Sequence, residues 1–409
     1  MKNNKGLSTS IILLVIIYLL HDMPALGMHF PYYIYILLVL LLFILLIPKI
    51  NFSTFLKLSV VFIFPVINSI TSFLLDFNLY RFVLDISGLI QVMIYALLGI
   101  IIVQTNDIKS AKLIIRVFLT ISIITAITTY IGCRIYPGAS RALAVTNVED
   151  MEYYNIYTSM NIGGFSFIYS IVFLVPLLIV LMKNQSYFKN SKLVFLMSLC
   201  SLIVIGLAVF SSEYTLAVLL FLFSLSLLFF TRRLSAVKLL TLTILSVSLF
   251  LLFKPIFGEM LVGFSANLTS ENISSRLFDI GVSVQGEEII DNNSAMNIRM
   301  EKYMKSFNSF VSNPFGTWFF KKPEVGGHSF ILDNMARYGI FAIFLFILMI
   351  RQIYRLYLLK FRQKSYYGYG LIMLFMFIVL SVVNPGLFFV QLTFVMPLFF
   401  FLLTHKKIN

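Results

Sequence analysis

Residues 193–210 read LVFLMSLCSLIVIGLAVF, a run of eighteen positions without a charged side chain. A helix needs about 20 predominantly apolar residues to cross the hydrocarbon core of a bilayer, so this run predicts a transmembrane helix. Similar runs recur along the chain, which predicts a polytopic, all-α integral membrane protein. We place twelve spans near residues 7–21, 31–48, 55–75, 82–103, 113–131, 163–182, 193–210, 214–230, 239–257, 330–350, 366–384 and 387–403.

The composition of the whole chain agrees with this class. Of its 409 residues, 60% are hydrophobic and 12% are charged, against about 45–50% and about 25% in soluble domains. These values exclude a soluble enzyme and a disordered chain, and the unbroken apolar runs argue against a β-barrel with short alternating strands. The two cysteines, Cys133 and Cys200, are too few for a disulfide framework or a metal motif.

The distribution of charge predicts the orientation. With both termini in the cytoplasm, 20 of the 31 basic residues and only Asp107 among the 17 acidic residues fall on the cytoplasmic side, as the positive-inside rule expects. The net charge of +14 therefore reports membrane orientation and attraction to anionic lipid. We expect membrane lipid and no nucleic acid among the partners, and an integral membrane location with both termini in the cytoplasm.

Three parts follow from these spans. Residues 1–257 hold spans one to nine with an external loop at 132–162, residues 258–329 form a large external loop, and residues 330–409 hold the last three spans. Within the large loop, residues 295–312 predict an amphipathic helix that ends before Asn313-Pro314, lying on the outer membrane surface or over the bundle. The apolar residues at helical spacing are Met300, Tyr303, Met304, Phe307, Phe310 and Val311.

The first candidate for chemistry is His328, which follows Gly326-Gly327 where the large loop returns to the membrane. No nucleotide, zinc or nucleophile-elbow motif occurs in the chain. An imidazole can accept a proton from a sugar hydroxyl near neutral pH or orient that hydroxyl. The alternative interpretation is a glycine turn followed by an interfacial histidine.

Arginines in the predicted external segments are the second set of candidates. The guanidinium group binds phosphate oxygens in pairs, so it can hold a pyrophosphate at the membrane surface. The alternatives are contacts with lipid head groups and pairing with external carboxylates. Glu213, in the turn between spans seven and eight, could contact substrate or pair with such an arginine, although an interfacial position is the simpler interpretation. The arginines are Arg141, Arg276, Arg299 and Arg337.

The order of motifs in the large loop resembles the O-antigen polymerase and O-antigen ligase superfamily. Arg299 is followed by the amphipathic helix, by Asn313-Pro314-Phe315-Gly316, by Gly327-His328-Ser329-Phe330 and by Arg337-Tyr338-Gly339-Ile340. That superfamily has about twelve spans and one large external loop near the C-terminus. The topology matches over the whole chain, whereas the residue-level similarity is confined to 299–342.

The resemblance implies a GT-C-like glycosyltransferase that works on undecaprenyl-pyrophosphate-linked oligosaccharide without cofactor or metal. It implies that Arg299 holds the pyrophosphate and that His328 positions or deprotonates the acceptor hydroxyl. Arg276 matches as a second pyrophosphate ligand and Arg141 as a third, and Arg337 is a further candidate. A chain-length regulator is an implied partner.

Two positions depart from the pattern of the superfamily. Ser329 follows the histidine where Asn is commoner, and Ser212-Glu213-Tyr214-Thr215 stands where many members have Ser-Arg-Thr. The second departure removes an arginine from that hairpin. We predict a polymerase that joins repeat units into O-antigen, capsular or exopolysaccharide. The alternatives are an O-antigen ligase with a lipid A-core acceptor and a polysaccharide flippase or exporter, which should carry charges near the middle of the membrane.

Overall fold

The computed structural model of the protein is entirely helical in the residues that it describes, as predicted. Within a bilayer, the backbone has no water to bond, and a helix satisfies its N–H and C=O groups internally. The described residues are 7–21, 23–143, 151–183, 191–226, 254–267, 271–285, 295–318, 320–386 and 390–405.

The helices are numbered in chain order. They are α1 (Thr9–His21), α2 (Pro24–His29), α3 (Tyr32–Leu46), α4 (Phe52–Val61), α5 (Ile63–Asp76), α6 (Leu79–Gln104), α7 (Ile108–Ile135), α8 (Ala139–Ala142), α9 (Met151–Ser159), α10 (Phe165–Val172), α11 (Leu174–Lys183), α12 (Ser191–Ser211), α13 (Thr215–Ser226), α14 (Lys254–Ser265), α15 (Glu271–Gln285), α16 (Ala295–Ser312), α17 (Phe330–Tyr338), α18 (Phe341–Ile353), α19 (Tyr367–Val383) and α20 (Met396–Thr404). A π-helical turn, Gln391–Val395, leads directly into α20.

Five helical segments among the described residues are long and apolar enough to cross a membrane. A sixth is formed if α4 and α5, which meet at an angle of 66°, are counted as one broken span; five further apolar helices are shorter. Pro65 explains the break, because it has no N–H to bond the Val61 carbonyl. The count of twelve stays a prediction, and most of the ninth predicted span lies in 227–253, outside the described residues. The five segments are Phe82–Gln104, Ile108–Ile135, Phe165–Lys183, Lys192–Ser211 and Phe341–Phe361.

The predicted tenth span, 330–350, is wrong in its first half. The structure separates α17 from the membrane-length segment Phe341–Phe361 at Gly339, whose φ is +64°. A Cβ at this position would overlap the Pro314 carbonyl oxygen. The same carbonyl accepts a hydrogen bond from the N–H of Ile340 at 2.8 Å. The helix is therefore interrupted here, and residues 330–350 do not form one continuous helix.

The predicted external loop 258–329 is more helical than we expected. The predicted helix 295–312 is confirmed as α16, but α14 and α15 precede it and pack against each other. The predicted boundary at 257/258 falls inside α14, which runs from Lys254 to Ser265. In the predicted loop 132–162, α7 continues to Ile135 and two short helices, α8 and α9, follow.

Helix α16 turns a polar face toward the rest of the protein. Ser306 on this face is 1% exposed, and the Tyr303 hydroxyl donates to the Val383 carbonyl at 2.9 Å. Most of the apolar stripe predicted from the sequence is exposed on the other side, where no part of the described chain covers it. An apolar face of this kind is typical of a helix that lies in the membrane interface. The exposed members are Met300, Met304, Phe307 and Val311.

Candidate functional site

A cavity of about 960 Å³, which we call the main cavity, lies between α7, α10 and the predicted external segment. This volume is at the upper end of the range for small-molecule sites. Arg299 from α16 and Gly327-His328 from the following segment line it together, so the structure brings the two leading candidates into one site. Its other polar lining residues include Ser122, Thr125, Tyr154, Thr158, Ser166, Ser170, Asn384 and Gln391.

The charge of the main cavity is positive. Among its described lining residues, Arg299 carries the only fixed charge and none is Asp or Glu. Hydroxyl and amide groups alternate with apolar surface from residues such as Phe118 and Leu174. A positive group in a partly apolar, low-dielectric wall attracts an anion strongly. The cavity therefore suits an anionic ligand that also has hydroxyl groups and apolar parts.

Backbone contacts hold the segment that carries His328 against α16. The Gly326 N–H donates to the Ser306 hydroxyl at 2.8 Å, and that hydroxyl donates to the Asp333 carboxylate at 2.6 Å. The Gly327 N–H reaches the same carboxylate oxygen at 3.3 Å. Ser329 then caps α17, accepting a hydrogen bond from the Leu332 N–H at 3.2 Å. These bonds fix the main chain on both sides of His328.

Two contacts position the ring of His328. Nδ1 lies 2.9 Å from the Gly327 carbonyl oxygen, and Nε2 lies 3.4 Å from the Lys302 ammonium group. In the tautomer that carries its proton on Nδ1, the Nδ1–H group donates to that carbonyl and the Nε2 lone pair points to Lys302. A hydroxyl that replaced Lys302 at Nε2 would meet a group able to accept its proton.

The end of α19 forms part of the cavity wall and contacts α16 directly. The Asn384 carbonyl accepts from the Phe330 N–H at 2.9 Å, while the neighbouring Val383 carbonyl accepts from the Tyr303 hydroxyl at 2.9 Å. Burial raises the pKa of Tyr303, and the positive charge of Arg299 acts in the opposite direction. Tyr303 therefore stays a neutral donor close to Arg299 and ties α16 to this wall.

Two candidates from the sequence, Arg141 and Glu213, lie in a second cluster. Arg141 on α8 and Glu213, at φ +59° in the turn before α13, do not line the main cavity. The Tyr214 hydroxyl donates to the Ser140 carbonyl at 2.8 Å. Burial raises the pKa of Tyr214, while the bond to Ser140 and the charge of Arg141 act in the opposite direction. Arg141 therefore lies close to Tyr214, and its role as a pyrophosphate ligand stays a prediction.

The structure describes the side-chain contacts of Arg337 but not those of Arg276. The Arg337 guanidinium donates to the Asn68 side chain at 3.2 Å, and the Tyr338 hydroxyl donates to the same oxygen at 2.7 Å. Arg337 thus braces α17 against α5 and does not line the main cavity, and its role as a substrate ligand stays a prediction. Arg276 lies on α15, but its side chain is outside the described part of the chain, so its role stays a prediction.

Sequence reasoning missed three residues of the main cavity region. Lys302 lies one turn after Arg299 on the same face of α16, and this i, i+3 spacing could have identified it. Asn384 and Gln391 line the cavity and are 5% and 4% exposed. The Nδ2 group of Asn384 has no hydrogen-bond partner among the described residues. A lone amide in an apolar span is a signal for function, and it could have drawn attention to Gln391.

The close packing at Gly326 gives a testable expectation. A Cβ at Gly326 would overlap the Lys302 carbonyl oxygen, so Gly326→Ala should push the His328 segment away from α16. We expect a loss of about 1–3 kcal/mol of stability, as for other overpacking changes. Thermal unfolding in detergent measures this loss. Gly263→Ala is the matched control, because a Cβ there meets nothing within 4 Å; equal behaviour of the two variants would contradict the expectation.

Comparisons of this chain with protein-family models, with curated proteins and with solved structures find no match. In the described part of the chain, no group of three or more His, Cys, Asp or Glu side chains is close enough to hold a metal ion. The described part of the chain is an assembly of apolar helices consistent with a helical membrane protein, and its main cavity is lined by one arginine and several hydroxyl groups. The chemistry of that cavity is the basis for a functional assignment.

Proposed function

We propose that this protein is a lipid-carrier-dependent glycosyltransferase, a polymerase that joins undecaprenyl-pyrophosphate-linked oligosaccharide repeat units at the outer face of a bacterial plasma membrane. The observation that carries the proposal is the shared position of Arg299 and His328 in the main cavity. A cation for the diphosphate and an imidazole for the acceptor hydroxyl are the two groups that this transfer needs.

The proposed reaction is a displacement at the anomeric carbon of the donor sugar. The acceptor hydroxyl oxygen forms the new glycosidic bond, while the bond from the anomeric carbon to the pyrophosphate oxygen breaks. The hydroxyl proton passes to Nε2 of His328, and the undecaprenyl pyrophosphate leaves with the bonding electron pair. Because negative charge grows on the leaving group, Arg299 stabilises the transition state more than the bound donor.

The surface of α16 fits a substrate that is anchored in lipid. Its apolar side is exposed from Met300 to Val311, and Arg299 on the same helix lines the main cavity. A helix lying in the interface would hold this arginine at the depth of lipid phosphates. The diphosphate of a polyprenyl donor lies at that depth while its hydrocarbon tail stays in the bilayer.

The direct test is glycan transfer by the purified full-length protein with a lipid-linked repeat unit from its own cell envelope. We expect products longer by whole repeat units, formed equally well in EDTA, since the sugar is already activated by its pyrophosphate. Transfer only to a lipid A-core acceptor would identify a ligase instead. Movement of the repeat unit across a vesicle membrane without bond formation would identify a flippase.

The orientation that the proposal requires is testable by cysteine labelling. In a Cys133→Ser/Cys200→Ser background, Lys321→Cys should react with a membrane-impermeant maleimide on intact spheroplasts. Lys364→Cys is the matched control and should react only after the membrane is opened, because the charge distribution puts it in the cytoplasm. Both positions are exposed. Labelling in the reverse order would contradict the predicted topology of cytoplasmic termini and an external 258–329 segment.

A further inference from the structure

A second, smaller crevice of about 170 Å³ lies between α7, α11 and α20. Two of these helices also line the main cavity at other positions, α7 through Thr125 and α11 through Leu174 at its start. Lys112 in the crevice precedes Thr125 by thirteen residues, which is about 20 Å along a helix. The crevice therefore lies toward the opposite end of the bundle from His328 and Arg299, the end that the charge distribution assigns to the cytoplasm.

The crevice combines an apolar wall with two cations. Lys112 and Arg116 are one helical turn apart, at i and i+4, so they share one face of α7. Lys112 is half-buried and Arg116 is exposed. The remaining lining residues are apolar and come from all three helices. They are Ile115, Leu119, Leu181, Phe399, Leu402 and Leu403.

The positive charge of this crevice is not balanced within the described part of the chain. Neither Lys112 nor Arg116 forms an ion pair there. Asp107, the residue just before α7, caps the N-terminus of that helix. Its carboxylate accepts hydrogen bonds from the Ser110 N–H and from the Leu7 N–H, each at 3.1 Å. A complementary ligand would thus bring an anionic group for the two cations and a hydrocarbon segment for the apolar wall.

We propose that this crevice binds an anionic phospholipid of the inner leaflet. The lipid phosphate contacts Lys112 and the planar fork of Arg116, and the first part of one acyl chain lies against Leu402 and its apolar neighbours. The volume is below the range of whole small-molecule sites, so only a segment of the lipid enters. Basic pockets between helices on the cytoplasmic side are a known mode of anionic lipid recognition. This site is independent of the proposed glycosyl transfer.

The test measures binding of fluorescent phosphatidylglycerol and phosphatidylcholine to the purified full-length protein in neutral detergent. We expect the wild type to prefer phosphatidylglycerol. Lys112→Gln/Arg116→Gln should weaken phosphatidylglycerol binding by about 25-fold, at about fivefold for each cation, and should leave phosphatidylcholine binding unchanged. Lys109→Gln is the matched control, because Lys109 is exposed on the same helix and does not line the crevice.

A second variant tests the apolar half of the site. Leu402→Trp fills the crevice while leaving both cations in place, and it should also weaken phosphatidylglycerol binding. Thermal unfolding checks that each variant is folded. If Leu402→Trp does not fold, the result for Lys112→Gln/Arg116→Gln alone decides the proposal. Equal affinity of the wild type for the two lipids would overturn the proposal, as would unchanged binding in the charge variant or preferential retention of a polyprenyl phosphate.

Discussion

Replacement of Arg299 by alanine is expected to lower the rate of repeat-unit transfer by about 10²–10³-fold, the loss typical of removing one group that stabilises a developing negative charge. The protein should still fold, because Arg299 is half-buried at the wall of a cavity and its removal leaves no unpaired buried charge. Initial rates with purified protein and a lipid-linked repeat unit measure the effect, with thermal unfolding as the check on folding.

Two further variants define what Arg299 does. Arg299→Lys keeps the charge and loses the fork that bonds two phosphate oxygens, so its rate should fall between those of wild type and Arg299→Ala. Lys305→Ala is the matched control, since this substitution also removes a positive charge from α16. Lys305 lies outside the main cavity, and its Nζ is 3.9 Å from a carboxylate oxygen of Glu324. A rate for Arg299→Ala equal to that of the control would remove Arg299 from the mechanism.

Replacement of His328 by alanine should lower the same rate by about 10²–10⁴-fold, the usual contribution of a positioned general base. With its proton on Nδ1, the imidazole presents Nε2 as an acceptor beside Lys302, whereas alanine provides neither a proton acceptor nor a hydrogen-bond partner for the acceptor hydroxyl. Binding of the lipid-linked donor should change little, because the proposal assigns the diphosphate to Arg299. Rate and donor affinity are measured separately on the purified protein.

The variant His328→Gln separates two roles of this side chain. A glutamine amide can accept a hydrogen bond near the Nε2 position but cannot take up a proton at neutral pH. We expect it to be as inactive as alanine; full activity would show that His328 only orients the hydroxyl. His405→Ala is the matched control, because His405 bonds the Phe401 carbonyl at the end of α20, remote from the main cavity.

Hydropathy and helical periodicity predicted much of the fold correctly. The segments 82–103, 113–131, 163–182 and 193–210 correspond to membrane-length helices, and the amphipathic helix 295–312 has the predicted bounds. These properties are local, because the free energy of moving a segment from water into lipid is close to a sum over its own residues. No knowledge of neighbouring segments is required.

The turn at Gly339 shows where local reasoning fails. We predicted residues 330–350 as a single span, yet the helix breaks at Gly339, where the backbone of Pro314 and Gly316 packs against it. The contact joins positions more than twenty residues apart. Hydropathy cannot register such a contact, since it depends on the path of the chain between them.

In the candidate site, too, some residues could be recognised from the sequence, whereas the positions of others depended on tertiary packing. Arg299 and His328 were recognisable from residue type and motif order, and the spacing on α16 could have added Lys302. The separation of Arg141 and Arg337 from the main cavity required the packing of α8 near Tyr214 and of α17 against Asn68. An external position is a property of the topology, whereas membership of a site depends on which helix faces meet.

The amino-acid pattern alone therefore established a helical membrane protein, the helix 295–312 and two reactive side chains worth testing. The folded arrangement added the cavity that joins those side chains, the engagement of His328 by Lys302 and the crevice at Lys112 and Arg116. Transfer into lipid is a sum over neighbouring residues, but a cavity exists only where distant segments leave space between them, and that space is set by the packing of the whole bundle.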